Sequence, residues 1–352
     1  MLIKLLGVRG SIPTPLRNQE YRNKLFGVLR AAIHRGLTHE SQIDAFLQEL
    51  SPDLRYVYGG DTTCVAVYPI AGSSAAIDGG PAPISPNDPP YIIDCGTGLR
   101  SLGDELMNGP CGQGNGRVHI FLTHSHWDHI QGIPFFKPLY IPGNEIFFYS
   151  PFDNLESRLT RQQIDLFFPM PFEQTGSTKH FITLTENAPV RFEDGTTVDF
   201  FPLRHPGGSF AYRFRRDNAT FIFATDCEFT GQDLERDLED FRFFLNADLL
   251  VLDAQYTLDD HFSKFDWGHT SFTMAINCAC RWAIKNLVLT HHEPAYSDAK
   301  LFANFKSAIE HKQAMKVDRP RLFMAREGMQ IRVGAHQDAR PEQIPSREAT
   351  PE

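Results

Sequence analysis

Residues 122–132 read LTHSHWDHIQG: three histidines and an aspartate fall within six positions, directly after the apolar run HIFL at 119–122. An apolar run rich in Ile and Phe marks a buried strand, so its end delivers four coordinating side chains to one place. His124 and His126 alternate in the turn and can face one ion. Asp128 and His129 follow at a helix start and can face a second. Neutral imidazole and carboxylate suit zinc, and also manganese or iron. A hydrolytic site gains from two such ions about 3.5–4 Å apart, because bound water then loses its proton near neutral pH.

Other apolar runs end the same way. YII stops at Asp94, FFPLR at His205, FIFAT at Asp226 and NLVLT at His291. One histidine at a strand end is ordinary, but five acidic or imidazole side chains in equivalent places predict a polar site along one sheet edge.

The rest of the chain alternates short strands with helices over 352 residues, enough for a large α/β core. The net charge of -9 argues against a long nucleic acid as partner, since that footprint is a basic surface. No apolar run approaches the roughly 20 residues of a membrane helix, and MLIKLLGVRG does not read as a secretion signal. The six scattered cysteines form no metal-binding pair and read as reduced thiols in a cytoplasmic protein. Residues 18–50 carry helical periodicity. Leu25, Val28, Leu29 and Ile33 on one helix, with Ile43, Phe46, Leu47 and Leu50 on another, are expected to pack as a hairpin over the pocket or against a second subunit. AGSSAAIDGGPAPISPNDPP, at 71–90, reads as an exposed loop. A polar tail from 335 to 352 reads as disordered. Among basic residues, Arg9, Lys137 and Arg213 are candidate phosphate contacts, with Arg213, in the strand after the His205 loop, preferred.

With YGGDTTC (58–64), IIDCGTGLRSLG (92–103), HIFLTHSHWDHIQGIPFF (119–136), LRHPGGSFAYRF (203–214), FIFATDCE (221–228), WGHTSF (267–272) and LVLTHHEP (287–294), the sequence resembles the metallo-β-lactamase fold hydrolases. Its branch resembles that of ribonuclease Z and the cyclic-phosphate phosphodiesterases. The resemblance implies an α/β fold, an αββα sandwich over residues 1–334 with the 18–50 segment as a helical insertion. It also implies two divalent metal ions. His124, His126 and His205 would hold one; Asp128, His129 and His291 the other; Asp226 would bridge them. His291 is preferred to the adjacent His292 because it follows LVLT as His124 follows IFLT. Asp94 would orient a ligand from behind, and His269 in WGHTS would donate a proton.

The short type of ribonuclease Z carries a transfer-RNA arm between the positions matching His205 and Asp226. Only 20 residues, PGGSFAYRFRRDNATFIFAT, lie between them here, which leaves no room for it. The expected function is therefore a phosphodiesterase on a small cyclic or nucleotide phosphodiester. A metal-bound hydroxide would attack phosphorus, with Asp128 and His269 as the catalytic residues and His269 as the general acid. The alternative is hydrolysis of a lactone, thioester or other carbon ester; a non-catalytic or redox di-metal protein ranks below both. Zinc is the preferred metal and a homodimer the expected assembly.

Overall fold

The computed structural model describes residues 1–69, 84–85, 87–264 and 266–334, with the backbone alone at 261 and 262. Most of the loop expected at 71–90, and all of the tail from 335, lie outside the described residues.

The strands in chain order are β1 (Leu2–Gly7), β2 (Cys64–Tyr68), β3 (Tyr91–Ile93), β4 (Arg117–Phe121), β5 (Glu145–Ser150), β6 (Thr178–Thr183), β7 (Val190–Arg191), β8 (Thr197–Leu203), β9 (Ser209–Arg216), β10 (Ala219–Ala224), β11 (Leu249–Asp253), β12 (Asn286–Thr290), β13 (Arg321–Met324) and β14 (Gln330–Arg332). They form two sheets, ordered β14-β1-β2-β3-β4-β5-β6 and β13-β12-β11-β10-β9-β8-β7. β3 to β6 run parallel, as do β10 to β13. β8 pairs antiparallel with β9 and β9 with β10, so β8 shares the direction of β10.

Strand periodicity decides which residues enter which layer. In β10, Phe221 and Phe223 face the other sheet, while Ile222 and Ala224 face the outer helices. The middle layer packs Ile3, Leu5, Val65, Val67, Ile93 and Phe121 against Tyr212, Phe214, Phe221, Phe223, Val251 and Val288. Leu99, Leu102 and Leu106 of the helix Leu99–Leu106 cover one outer face. Helices Phe272–Arg281 and Asp298–Ala314 cover the other, with Trp282 at the end of the first. β11 and β12 are buried at every position, which explains their uninterrupted apolar runs. This is the αββα sandwich. None of the described helices is long and apolar enough to cross a membrane.

The 18–50 segment departs from expectation. It forms the helix Asn18–Arg35, a short 3-10 turn and the helix Ile43–Glu49. Phe46 and Leu50 are buried, but Leu25, Leu29, Ile33, Ile43 and Leu47 are exposed, so the two stripes do not form a closed hairpin core. The first helix is tied down through a charge instead: Lys24 Nζ lies 3.0 Å from Asp298 and donates to the Tyr56 carbonyl. Amphipathic spacing says which residues share a face, not which surface receives it.

Candidate metal centre

The equivalent strand ends meet along one edge of the sandwich. Asp94 follows β3, His124 lies just past β4, His205 and Asp226 follow β8 and β10, and His291 follows β12. Asp94, Asp226 and His291 all take left-handed backbone conformations, at φ 58°, 55° and 63°. Non-glycine residues seldom sit there, and strained backbone of this kind clusters where a side chain is held for function. Here it turns the chain sharply at the strand end and leaves the side chain over the edge.

Two groups form around one carboxylate. Ligand atoms of His124, His126, His205 and Asp226 lie within 4.8 Å of one another, as do those of Asp128, His129, Asp226 and His291. Asp226 Oδ1 is 3.7 Å from His124 Nε2 and 3.6 Å from His205 Nε2. Its other oxygen, Oδ2, is 2.9 Å from His129 Nε2 and 3.2 Å from His291 Nε2. Asp128 Oδ2 stands 3.3 Å from each of those last two nitrogens. His205 Nε2 and His126 Nδ1 are 3.0 Å apart. One carboxylate thus turns an oxygen to each group.

These residues fit a pair of cations. His124 Nε2, His129 Nε2, His291 Nε2 and Asp226 Oδ2 are buried and lack hydrogen-bond partners. Buried polar atoms are seldom left so, and here they converge. The opposite nitrogens explain the orientation. Nδ1 of His129 meets Asp94 Oδ2 at 2.8 Å, that of His205 the Gly268 carbonyl at 2.9 Å, and that of His291 Gln255 Oε1 at 3.3 Å. His124 Nδ1 faces Thr123 Oγ1, whose own proton goes to Asp94. In the neutral ring each acceptor places the proton on Nδ1, which turns the Nε2 lone pair toward a metal. The fit is close: a Cβ on Gly268 (φ 87°) would stand 2.3 Å from His205 Nδ1. Ser11 N–H donates to Asp128 Oδ2 at 2.7 Å, steadying that carboxylate.

Electrostatics divide the histidines. Burial pushes His124 and His205 down, so both are neutral near pH 7. Burial also pushes His291 down, but the Asp226 carboxylate outweighs it and the net value rises to about 9. His129 is likewise raised well above the ordinary imidazole value, because Asp226, Asp128 and Asp94 overcome its burial. For Asp128 and Asp226 burial acts upward, and the charge on His129 holds both well below the usual carboxylate range. In the metal-free protein His129 and His291 therefore keep their protons at pH 7, and a metal must displace them. The raised His291 value stabilises the metal-free fold fully below the unfolded imidazole value of about 6.5, and that contribution fades as pH rises through about 9. Metal affinity is expected to climb with pH as these protons are lost. Titration calorimetry of zinc into apo-protein, in buffers of different ionisation enthalpy, should show more proton release at pH 7 than at pH 10; equal release at both would contradict it.

His269 lies beside this centre. Its ring stacks on that of His291, centroids 5.0 Å apart, and stands 5.3 Å from that of His205. It precedes the helix Phe272–Arg281, whose cap is Ser271, accepting from Met274 N–H. His269 Nδ1 meets buried Asp253 Oδ2 at 2.8 Å. Asp253 also accepts from the backbone N–H of Asp226, Gln255 and Thr270. Sequence reasoning passed over Asp253, although DLLVLD repeats the strand-then-acid pattern that marked Asp94 and Asp226. Arg213 does not reach the centre. It pairs with Asp199 across the β8–β9 ladder and donates to the Phe243 carbonyl. Arg9 is spent on carbonyls of Gly59, Glu293 and Tyr296, and Lys137 on Asp104.

The family described as "Beta-lactamase superfamily domain" matches residues 91–292. Ribonuclease Z of Prochlorococcus marinus (strain NATL1A) is 25% identical over 228 residues, 51% of this chain and 71% of that protein. Zn(2+)-bound PqqB from Methylobacterium extorquens superposes with a TM-score of 0.56 at 14% identity, covering 94% of this chain and 99% of that one. Human tRNase Z, short form, gives 0.53 at 16% identity, over 95% of this chain and 100% of its own. At such identities the structural likeness is one of fold.

Proposed function

The chain belongs to the β-lactamase superfamily and is a metal-dependent hydrolase of the metallo-β-lactamase fold; from this premise we propose that it is a phosphodiesterase acting on a small cyclic or nucleotide phosphodiester. The observation that carries the reading is the Asp253–His269 pair, set against the ligand histidines. A phosphodiester releases an alkoxide, a poor leaving group that needs a proton, as an oxygen ester does, whereas a thioester releases a thiolate that does not, so the pair weighs against the thioester.

In this reading His124, His126 and His205 hold one ion, Asp128, His129 and His291 the other, and Asp226 both. The donor set, rich in imidazole, favours zinc. Two divalent ions there would draw charge from phosphoryl oxygens and bring the pKa of water toward neutrality. The remaining work belongs to side chains. Asp94 fixes His129 from behind, and Asp128 completes the buried end of the centre. Asp253 holds Nδ1–H of His269, so that Nε2 carries the proton passed to the leaving oxygen as its bond to phosphorus breaks.

A small substrate is supported by the acidic net charge of -9 and by the hairpin between His205 and Asp226. There β9 ends at Arg216 and β10 begins at Ala219, so only Asp217 and Asn218 join them. We also place a second copy of the chain on the exposed stripe of Leu25, Phe26, Leu29 and Ile33. Arg22 and Arg30 of that helix, with Glu40 and Asp44 that follow, offer complementary charge to a two-fold pairing; sedimentation velocity would detect the dimer. Six unpaired cysteines accord with a reducing cytoplasm.

The test is a substrate panel on metal-loaded protein: bis-(p-nitrophenyl) phosphate, cyclic mononucleotides, a lactone and a thioester. Turnover of the phosphodiesters is expected. Hydrolysis of the carbon esters alone would replace this reading with the second one.

A further inference from the structure

The chain has three tryptophans. Trp282 is buried in the outer core against Phe241 and Phe244, as a large aromatic should be. The other two are not. Trp127 is 80% exposed and Trp267 61% exposed. Single exposed apolar side chains are common, but these two share a location. Trp127 lies between His126 and Asp128. Trp267 lies two residues before His269, next to Gly268. One histidine joins the residues beside them: His205 Nε2 is 3.0 Å from His126 Nδ1, and its Nδ1 meets the Gly268 carbonyl. A third large apolar side chain, Ile12, is 59% exposed beside Ser11, whose N–H binds Asp128. Three exposed apolar side chains thus rise from positions within two residues of a group that builds the centre.

We propose that Trp127 and Trp267 form a stacking subsite for a planar heterocyclic base, so that the substrate of the centre is a nucleotide phosphodiester and not a base-free one. This rests on the phosphodiesterase reading and narrows it. An indole offers a flat, rigid face that binds any base with little loss of side-chain freedom, and stacking of this kind tolerates every base. The backbones carrying the two rings are fixed to the metal centre, so a base held there leaves its own phosphodiester within reach of the ligand histidines. Lys264, paired with Glu293 at 3.1 Å, lays its ammonium 4.5 Å from the Tyr256 ring and 5.8 Å from that of Trp267. An acidic protein gains little from offering such a ring to an anionic membrane.

The experiment uses metal-loaded full-length protein and two substrates that differ only in the base: adenosine 2′,3′-cyclic phosphate and methyl riboside 2′,3′-cyclic phosphate. The expected preference is roughly tenfold or more in kcat/KM for the nucleotide, carried mainly by KM. In Trp127→Leu and Trp267→Leu, which keep apolar bulk but remove the flat ring, this ratio should fall toward one, and Trp→Phe should restore part of it. Independently of turnover, adenosine 5′-monophosphate should quench tryptophan emission where ribose 5-phosphate does not, and the Trp127→Leu Trp267→Leu variant should lose that quenching. Equal kcat/KM for both substrates, or a ratio unchanged in the leucine variants, would overturn the subsite while leaving the phosphodiesterase intact. If neither cyclic phosphate is cleaved and a lactone or thioester is, the phosphodiesterase reading fails; absence of selective quenching by the nucleotide then overturns the subsite as well.

Discussion

Asp226→Ala is expected to empty the metal centre more completely than loss of any one histidine. Its Oδ1 lies 3.6 Å from His205 Nε2, and its Oδ2 lies 2.9 Å from His129 Nε2, so one substitution removes a donor from both groups. Loss of even an outer partner of a metal site weakens affinity by about 10–100-fold. Here two direct donors vanish together, along with the charge that holds His129 and His291 in place. The alanine must also adopt φ near 55°, where Asp226 already strains the turn after β10. Asp226→Ala should therefore purify with little metal, while His205→Ala, which touches one group, keeps a partial complement. Elemental analysis per chain reads both, with circular dichroism to establish that each variant is folded. Asp226→Asn, of the same shape and with one carbonyl oxygen, should fall between them. Two ions per chain in Asp226→Ala would end the bridging assignment.

His269→Ala is expected to separate proton donation from metal holding. The ring lies against His291 and His205, but its Nδ1 is engaged by Asp253 and not by the two groups centred on Asp226. The variant should keep its metal and lose kcat by roughly 10²–10⁴-fold, the usual worth of a general acid. The loss should shrink for a diester releasing p-nitrophenolate, which leaves without a proton. His291→Ala should instead lose metal and be slow on every substrate alike. The leaving-group dependence is the decisive readout, since a merely structural histidine would slow all substrates by one factor. An unchanged kcat for His269→Ala on an alkyl diester would remove His269 from the chemistry.

What the sequence by itself determined is local. Continuous apolar runs such as HIFL and NLVLT identify strands buried in a sandwich, and the His or Asp that closes each run identifies the sheet edge where a polar site gathers. Both signals survive in one dimension because strand, turn and closing residue are chain neighbours. The family motifs add the grouping of the ligands around Asp226. What only the tertiary structure decided depends on partners far apart in the chain. Asp253 carries the same strand-then-acid mark as Asp226, yet its importance rests on the His269 ring arriving from 16 residues away, at 2.8 Å. Arg213 is visible as a charge in sequence, but Asp199 across the ladder claims it. The stripe Leu25, Leu29 and Ile33 is legible as one helix face, and its exposure is not. Trp127 and Trp267 would pass for core residues by composition alone; only the assembled edge leaves them in solvent beside the ligands. Periodicity is written along the chain, whereas burial and pairing are fixed by which distant surfaces meet, and those exist only once the two sheets have closed on each other.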